Sequence, residues 1–230
     1  DNNDRPGILL SSAIKKYIDL YGVACGKNNV LFTNNDTAYE TAISLIQRGI
    51  KINAIIDNRE QVDSKISYEV EKNNIKIYKG YSVVDTYGYR RIDKISIMKL
   101  SKDGQTVIGE KTKLNCDCLG VSGGWTPAVH LFTQSGGKLK FREEDQVFIP
   151  DVYPSDQISI GSCNGDFGIE EIMKNTLSSL KKFLNIDNSE YKTVEIISGL
   201  NQSKRNIWLL PSDKSIGKTK SFVDYQNDAT

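Results

Sequence analysis

The 230-residue chain carries 30 basic and 29 acidic side chains, a net charge of +1, and 38% hydrophobic residues. That supply of apolar side chains is enough for a core, and the even charge balance disfavours nucleic acid or an anionic membrane as a partner. No apolar run approaches transmembrane length and no signal-peptide pattern opens the chain, so a cytoplasmic location is expected; Asp1 in place of Met at the start predicts a piece of a longer polypeptide.

In chain order, "RPGILLSSAIKKYIDLYG" places Leu9, Leu10, Ala13, Ile14, Tyr17, Ile18 and Tyr21 at helical spacing between Pro6 and Gly22, and predicts an amphipathic helix. Val30–Thr33 then reads as a short buried strand. "DTAYETAISLIQRGI" reads as a helix, with Asp36 as N-cap and Gly49 as its stop. "KINAIIDNRE" is a second buried strand ending at Asp57, "VDSKISYEVEKNN" a second helix and "IKIYKG" a third strand. A β-α-β-α-β order implies a parallel sheet with right-handed crossovers, the α/β Rossmann-like architecture of a dinucleotide-binding unit. Strand-like pieces then follow one another without a helix, with Gly88 and Asp103-Gly104 as turn signals, and predict an antiparallel meander. Cys118–Val121 is expected to rejoin the parallel sheet. "QISIGSCNGDFGIEEIM" reads as strand, glycine loop and helix, and the last part, from "TVEIISGL" onward, as strand-like pieces between polar loops.

Neither the cysteines nor the single histidine forms a recognisable reactive centre. Cys116 and Cys118 are expected on one face of a strand as small buried hydrophobes, with Cys25 and Cys163 isolated, so no metal site is expected. His130 has no partner placed near it in the sequence and is expected in a structural or interface role, leaving no catalytic residue in the chain. In "GVSGGWTPAVHLF", Gly123 and Gly124 permit a tight turn, Trp125 is expected to pack the corner and Pro127 to fix the exit direction.

Two loops occupy phosphate-binding positions. A dinucleotide fingerprint needs glycines between the first strand and helix, so that the backbone can approach a pyrophosphate. Here "TNNDTA" puts Thr33 and Asn35 at the first two glycine positions and Ala38 at the third. Asn35 tolerates a positive φ, so the turn could survive; its side chain would crowd the pyrophosphate and Asp36 would add negative charge. Asp57 stands where a ribose-binding acid belongs. In the second loop, "ISIGSCNGDFGIEE", Gly161 and Gly165 flank a strand-to-helix turn whose N–H groups would face an anion, unless Asp166 and Glu170 only complement the helix dipole.

The order of these parts resembles the middle and end of a two-dinucleotide-domain flavoprotein reductase, with Gly124-Trp125-Thr126-Pro127 in the loop that returns to the first domain. Three stretches, "FTNNDTAY" (Phe32 to Tyr39), "SGGWTPAVHLFTQSGGKL" (Ser122 to Leu139) and "FVDYQNDAT" (Phe222 to Thr230), resemble the alpha subunit of heterotetrameric sarcosine oxidase, and "RPGILLSSAIKKYIDLYGV" resembles the segment before that family's inserted domain. The resemblance implies four segments: 1–24 connecting from a first nucleotide domain, 25–118 an inserted Rossmann-like domain with a degenerate phosphate loop, 119–185 a return segment completing the NAD-binding domain, and 186–230 leading toward further domains. It implies a bound NAD in the alpha subunit, against the late loop. Ser162, Phe167 and Ile169 are carried over by matching positions, and Gly161, Asn164 and Gly165 complete the expected cofactor-binding set. It further implies beta, gamma and delta partner subunits, and FAD, FMN and tetrahydrofolate in the complete complex. The complex would convert sarcosine, tetrahydrofolate and oxygen to glycine, 5,10-methylenetetrahydrofolate and hydrogen peroxide. A related opine, glycine or amine oxidase subunit, an independent pyridine-nucleotide reductase and a cofactor-free scaffold are the competing readings.

Overall fold

The computed structural model describes residues 2–154, 156–185, 207 and 209–214. They fall into two compact units, one ending at Gly124 and including 207 and 209–214, the other beginning at Trp125.

The first unit opens with strand β1 (Ile8–Leu10) and helix α1 (Ser11–Tyr21). The helix predicted from Pro6 therefore starts late. Leu10 is extended (φ −63°, ψ 137°), and Ile8, Leu9 and Leu10 pair in parallel with Leu119, Gly120 and Val121. A backbone that bonds sideways into a sheet cannot also form the first helical turn. Only Ile14 and Ile18 of the apolar stripe reach deep burial; Leu10, Tyr17 and Tyr21 are exposed. Gly22 ends the helix as expected, with φ +64° and its N–H bonded to the Ile18 carbonyl.

Next come β2 (Asn29–Thr33), α2 (Thr37–Gln47), β3 (Ile52–Asp57), α3 (Lys65–Glu71) and β4 (Ile77–Lys79). The meander follows as β5 (Tyr81–Tyr87), β6 (Lys94–Leu100) and β7 (Val107–Asn115), antiparallel throughout. Gly88 (φ +133°) and Gly104 (φ +75°) lie in its turns, as expected. Then β8 (Cys118–Ser122) returns to the parallel sheet, whose order is β1-β8-β2-β3-β4.

Alternation along the central strands sorts the core onto two faces. Leu31 and Ile55 point to the helical side, against Ile14, Ile18, Tyr39, Ala42, Leu45 and Val70. Val30, Phe32, Ala54 and Ile56 point to the other side, against Ile92, Ile95 and Ile97. This period-two division is why the strands read as continuous apolar runs: both faces are covered. Cys116 and Cys118 do not share a face. Cys116 precedes β8 and packs with the meander side, whereas Cys118 packs with the helical side. Both are buried, as expected of small hydrophobes.

The second unit contains α4 (His130–Gln134), the hairpin β9 (Lys138–Arg142) and β10 (Val147–Val152), a 3₁₀ turn at Gly161–Asn164 and helix α5 (Ile169–Leu184). Phe132 is buried and meets Tyr153 edge-on, 5.0 Å between ring centroids. Residues 157–160, expected as a strand, form none, and no strand among the described residues takes up their hydrogen bonds. Trp125 is 54% exposed, so it does not pack a corner as expected, although Gly124 does adopt a glycine conformation (φ +115°) where the two units divide. The expected strand pieces from Thr193 to Leu200 and the stretch Phe222–Thr230 lie outside the described residues.

Candidate functional site

In an open parallel sheet, ligands bind outside the carboxyl ends of the strands where the order reverses. In the first unit the chain runs from β2 to β3 on one side, and β8 flanks β2 on the other. That places the crevice over Thr33, Asp57 and Ser122, the last residues of β2, β3 and β8. Side chains fill it.

On the β8 side, Asn34 donates from its backbone N–H to the Ser122 carbonyl (3.3 Å) and from Nδ2 to the Gly123 carbonyl (3.0 Å). Asn35 Nδ2 donates to the Ser122 carbonyl (3.3 Å), and Thr37 Oγ1 shares a 2.8 Å hydrogen bond with Ser122 Oγ. Asn35 does not use a positive φ. The turn is held by side chains instead: Thr33 Oγ1 donates to the Asn35 carbonyl (2.8 Å), and Asn35 Oδ1 accepts from the Thr37 N–H (2.9 Å). Asp36, expected to cap α2, makes no side-chain cap bond. Its carboxylate lies 2.8 Å from Arg59 Nη2 in a buried ion pair.

On the β3 side, Asp57 is fully buried where the ribose acid was expected, but its carboxylate is engaged. It accepts from Arg59 Nε (3.1 Å), Arg59 Nη2 (2.8 Å), the Arg59 backbone N–H (2.9 Å) and the Tyr39 hydroxyl (2.9 Å). Thus the half of the fingerprint that looked intact is present but committed. Burial, followed by the negative charge of Asp57, holds the Tyr39 phenol above its ordinary pKa. For Arg59 burial works against the charged form, but the bonds and charges of Asp57 and Asp36 outweigh it and raise the guanidinium. The sequence signal for this closure was an arginine two residues beyond the acid, in "DNR".

In the second unit the expected cofactor residues lie together. Gly161, Ser162 and Asn164 form the 3₁₀ turn, Gly165 closes it with φ +85°, Phe167 follows, and Ile169 begins α5. Ser162 and Ile169 are exposed; Asn164 and Phe167 are half-buried. The Gly165 and Asp166 N–H groups are turned inward to the Ser162 and Gly161 carbonyls, so they do not face outward as a phosphate loop requires. Gly168 supplies no side-chain cap to α5, and Glu170 and Glu171 sit in its first turn, complementing the helix dipole. The Gly165 carbonyl accepts from Arg142 Nη2 (2.9 Å), and Arg142 is braced by Asp145. Asp166, which the sequence offers only as a complement to the helix dipole, also lies in this loop. It is 6% exposed, and its Oδ2 is buried without a hydrogen-bond donor among the described residues. The signal was the Gly165-Asp166 dipeptide in the glycine loop. His130 is exposed at the start of α4.

A parallel sheet covered by helices on one face and by an antiparallel meander on the other is the Rossmann-like architecture of the flavoprotein oxidoreductases. Flavoprotein disulfide reductase RclA from Escherichia coli superposes with a TM-score of 0.55 at 13% identity, over 78% of this chain and 39% of that one. No family model matches the sequence. Along its whole length the chain is similar to sarcosine oxidase subunit alpha, as its motifs predicted: 30% identical to that of Corynebacterium sp. (strain P-1) and 28% to that of Corynebacterium sp. (strain U-96), 100% of this chain in both cases. The chain spans 24% of the length of each of these relatives, which are subunits of an oxidoreductase.

Proposed function

We propose that the chain is a non-catalytic, NAD-binding portion of the alpha subunit of a sarcosine oxidase, and that the dinucleotide lies against the second unit's loop, Gly161–Ile169. The observation that carries this reading is a buried oxygen of Asp166, within that loop, that has no hydrogen-bond donor among the described residues. A buried carboxylate oxygen without a partner is costly, and a ribose hydroxyl donating to it removes the cost. With Glu170 and Glu171 beside the helix start, this loop suits a neutral hydroxyl better than a phosphate. The exposed Ser162 and Ile169 and half-buried Phe167 would line the same side of the ligand.

On this reading residues 125–185 belong to a nucleotide domain whose remainder lies elsewhere in the polypeptide, and the first unit is the inserted Rossmann-like domain, wider than the expected 25–118 because β1, α1 and β8 share its sheet and core. Support comes from α5: it is 16 residues long and buries none of them, while Ile169, Met173, Leu180, Phe183 and Leu184 stay substantially exposed. A helix with an apolar stripe normally packs it against another element. The complete enzyme would use FAD, FMN and tetrahydrofolate with beta, gamma and delta subunits, and would form hydrogen peroxide, glycine and 5,10-methylenetetrahydrofolate; the amine chemistry belongs outside this chain.

The test is Asp166→Asn in the complete alpha subunit, with NAD released by denaturation and quantified. The expected result is at least a tenfold weaker NAD affinity with unchanged melting of the inserted unit. Full NAD occupancy in a well-folded variant would remove the basis of the assignment.

A further inference from the structure

A dinucleotide unit without its nucleotide leaves a gap between two groups that normally face the ligand: the helix start that meets the phosphate and the strand-end acid that meets the ribose. In the first unit these positions are held by Asp36, directly before α2, and Asp57, at the end of β3. Both are acids, both are at most 2% exposed, and the same Arg59 Nη2 lies 2.8 Å from each of them. Arg59 is itself 6% exposed, and its Nε also donates to Asp57. Two buried carboxylates this close would repel; a guanidinium between them supplies the opposing charge and a planar fork of donors.

We propose that Arg59 is the resident occupant of the inserted unit's nucleotide cleft, standing in for a nucleoside monophosphate and closing the cleft from within. Asp36 reverses the charge preference of the helix start, from an anion to a cation. Asp57 turns from a ribose hydroxyl to the guanidinium. Tyr39, fully buried, donates to the second Asp57 oxygen and holds that carboxylate facing Arg59. The bonds from Asn34 and Asn35 to Ser122 and Gly123 seal the β8 side independently. The cleft has therefore become a piece of core, and the unit keeps its fold without a cofactor. This inference does not rest on NAD at the second unit's loop, and either can fail without the other.

The experiment titrates the full chain with AMP by calorimetry. The unmodified chain should show no saturable AMP site. The Asp36→Ala/Arg59→Ala variant removes the internal occupant and one acid together, so no unpaired cation remains. It should gain one AMP site at least tenfold tighter than anything in the unmodified chain. Adding Asp57→Ala should abolish that site, which distinguishes it from binding at the other loop. A double variant that is folded by circular dichroism and melting yet gains no Asp57-dependent site overturns the proposal. Should the variant fail to fold, the unmodified chain decides. Its Arg59 Nε–H resonance should exchange slowly with water and stay unmoved by AMP; fast exchange or a saturable shift overturns the proposal.

Discussion

Asp57→Asn tests how much of the first unit's stability passes through one buried carboxylate. The change keeps size and shape and removes the charge. Asp57 accepts four hydrogen bonds, three from Arg59 and one from Tyr39, and is fully buried. An asparagine offers one acceptor oxygen and turns an NH₂ toward groups that are themselves donors. Breaking a buried ion pair by removing one partner costs about 3–5 kcal/mol. Here Arg59 keeps Asp36 at 2.8 Å, so the lower end applies, about 3 kcal/mol. For a chain of this size each kcal/mol moves Tm by about 2–4 °C, giving a fall of about 6–12 °C. Urea unfolding followed by far-ultraviolet circular dichroism, with scanning calorimetry alongside, measures both quantities. Tyr39→Phe is the internal comparison: it loses one bond to a charged acceptor that Arg59 still satisfies, and should cost about 1–2 kcal/mol. A loss below about 0.5 kcal/mol for Asp57→Asn would refute the reasoning, since that is the range of a surface substitution.

Gly120 of β8 faces the helical layer, and a Cβ there would stand 2.7 Å from Leu31 Cδ2 and 2.8 Å from Ile14 Cδ1. Gly120→Ala should therefore cost about 1–3 kcal/mol in denaturant unfolding, moderated because both neighbours are flexible side-chain ends. Burial pushes the Cys116 and Cys118 thiols up to about 12, so iodoacetamide at pH 8 should leave both unlabelled in the native chain and modify both after unfolding, as read by peptide mass spectrometry. Lys214 lies 2.6 Å from Asp85 and ties residues 209–214 to the meander. Burial opposes the charged form of Asp85, but the Lys214 hydrogen bond and charge hold its carboxyl below the ordinary value, while that same bond holds Lys214 above its own. The tie is then fully present above the unfolded carboxylate value of about 3.9 and below the unfolded lysine value of about 10.4. It is lost as pH falls through the lowered Asp85 pKa or rises through the raised Lys214 pKa. Protection of Leu210 and its neighbours from proteolysis should follow that window, and Asp85→Asn should abolish the acid-side dependence. Finally, the purified 230-residue chain given sarcosine and added flavin should release no hydrogen peroxide in a peroxidase-coupled assay.

Much of the architecture was legible because the signals were local. Continuous apolar runs, covered on both faces, made Val30–Thr33 and the run to Asp57 read as buried strands, and positive-φ glycines at 22, 88 and 104 marked real ends and turns. The misplaced start of α1 has a non-local cause. Ile8–Leu10 carry helical spacing, but their backbone groups are taken by β8, over a hundred residues later in the chain. The same distance hid the fate of the first cleft. Thr33 and Asn35 announced a lost phosphate loop, yet nothing in "TNNDTA" reveals that Asp36 turns from its helix to Arg59, because the partner lies in the next loop but one. Trp125 looked like core by residue type and proved exposed, at the point where the first unit ends. In the second loop the glycines at 161 and 165 were legible as turn formers, whereas the inward direction of the N–H groups there depends on carbonyls that only the folded turn supplies.

The most direct measurement of where the dinucleotide lies is amide hydrogen exchange on the complete alpha subunit with NAD bound and with NAD removed, read by mass spectrometry. Slowed exchange on NAD binding should appear in peptides covering Gly161–Ile169 and the start of α5, with peptides covering Thr33–Ala38 and Asp57–Arg59 unchanged. NAD-dependent slowing confined to Thr33–Ala38 and Asp57–Arg59, with none at Gly161–Ile169, would contradict both the proposed site and the closed cleft.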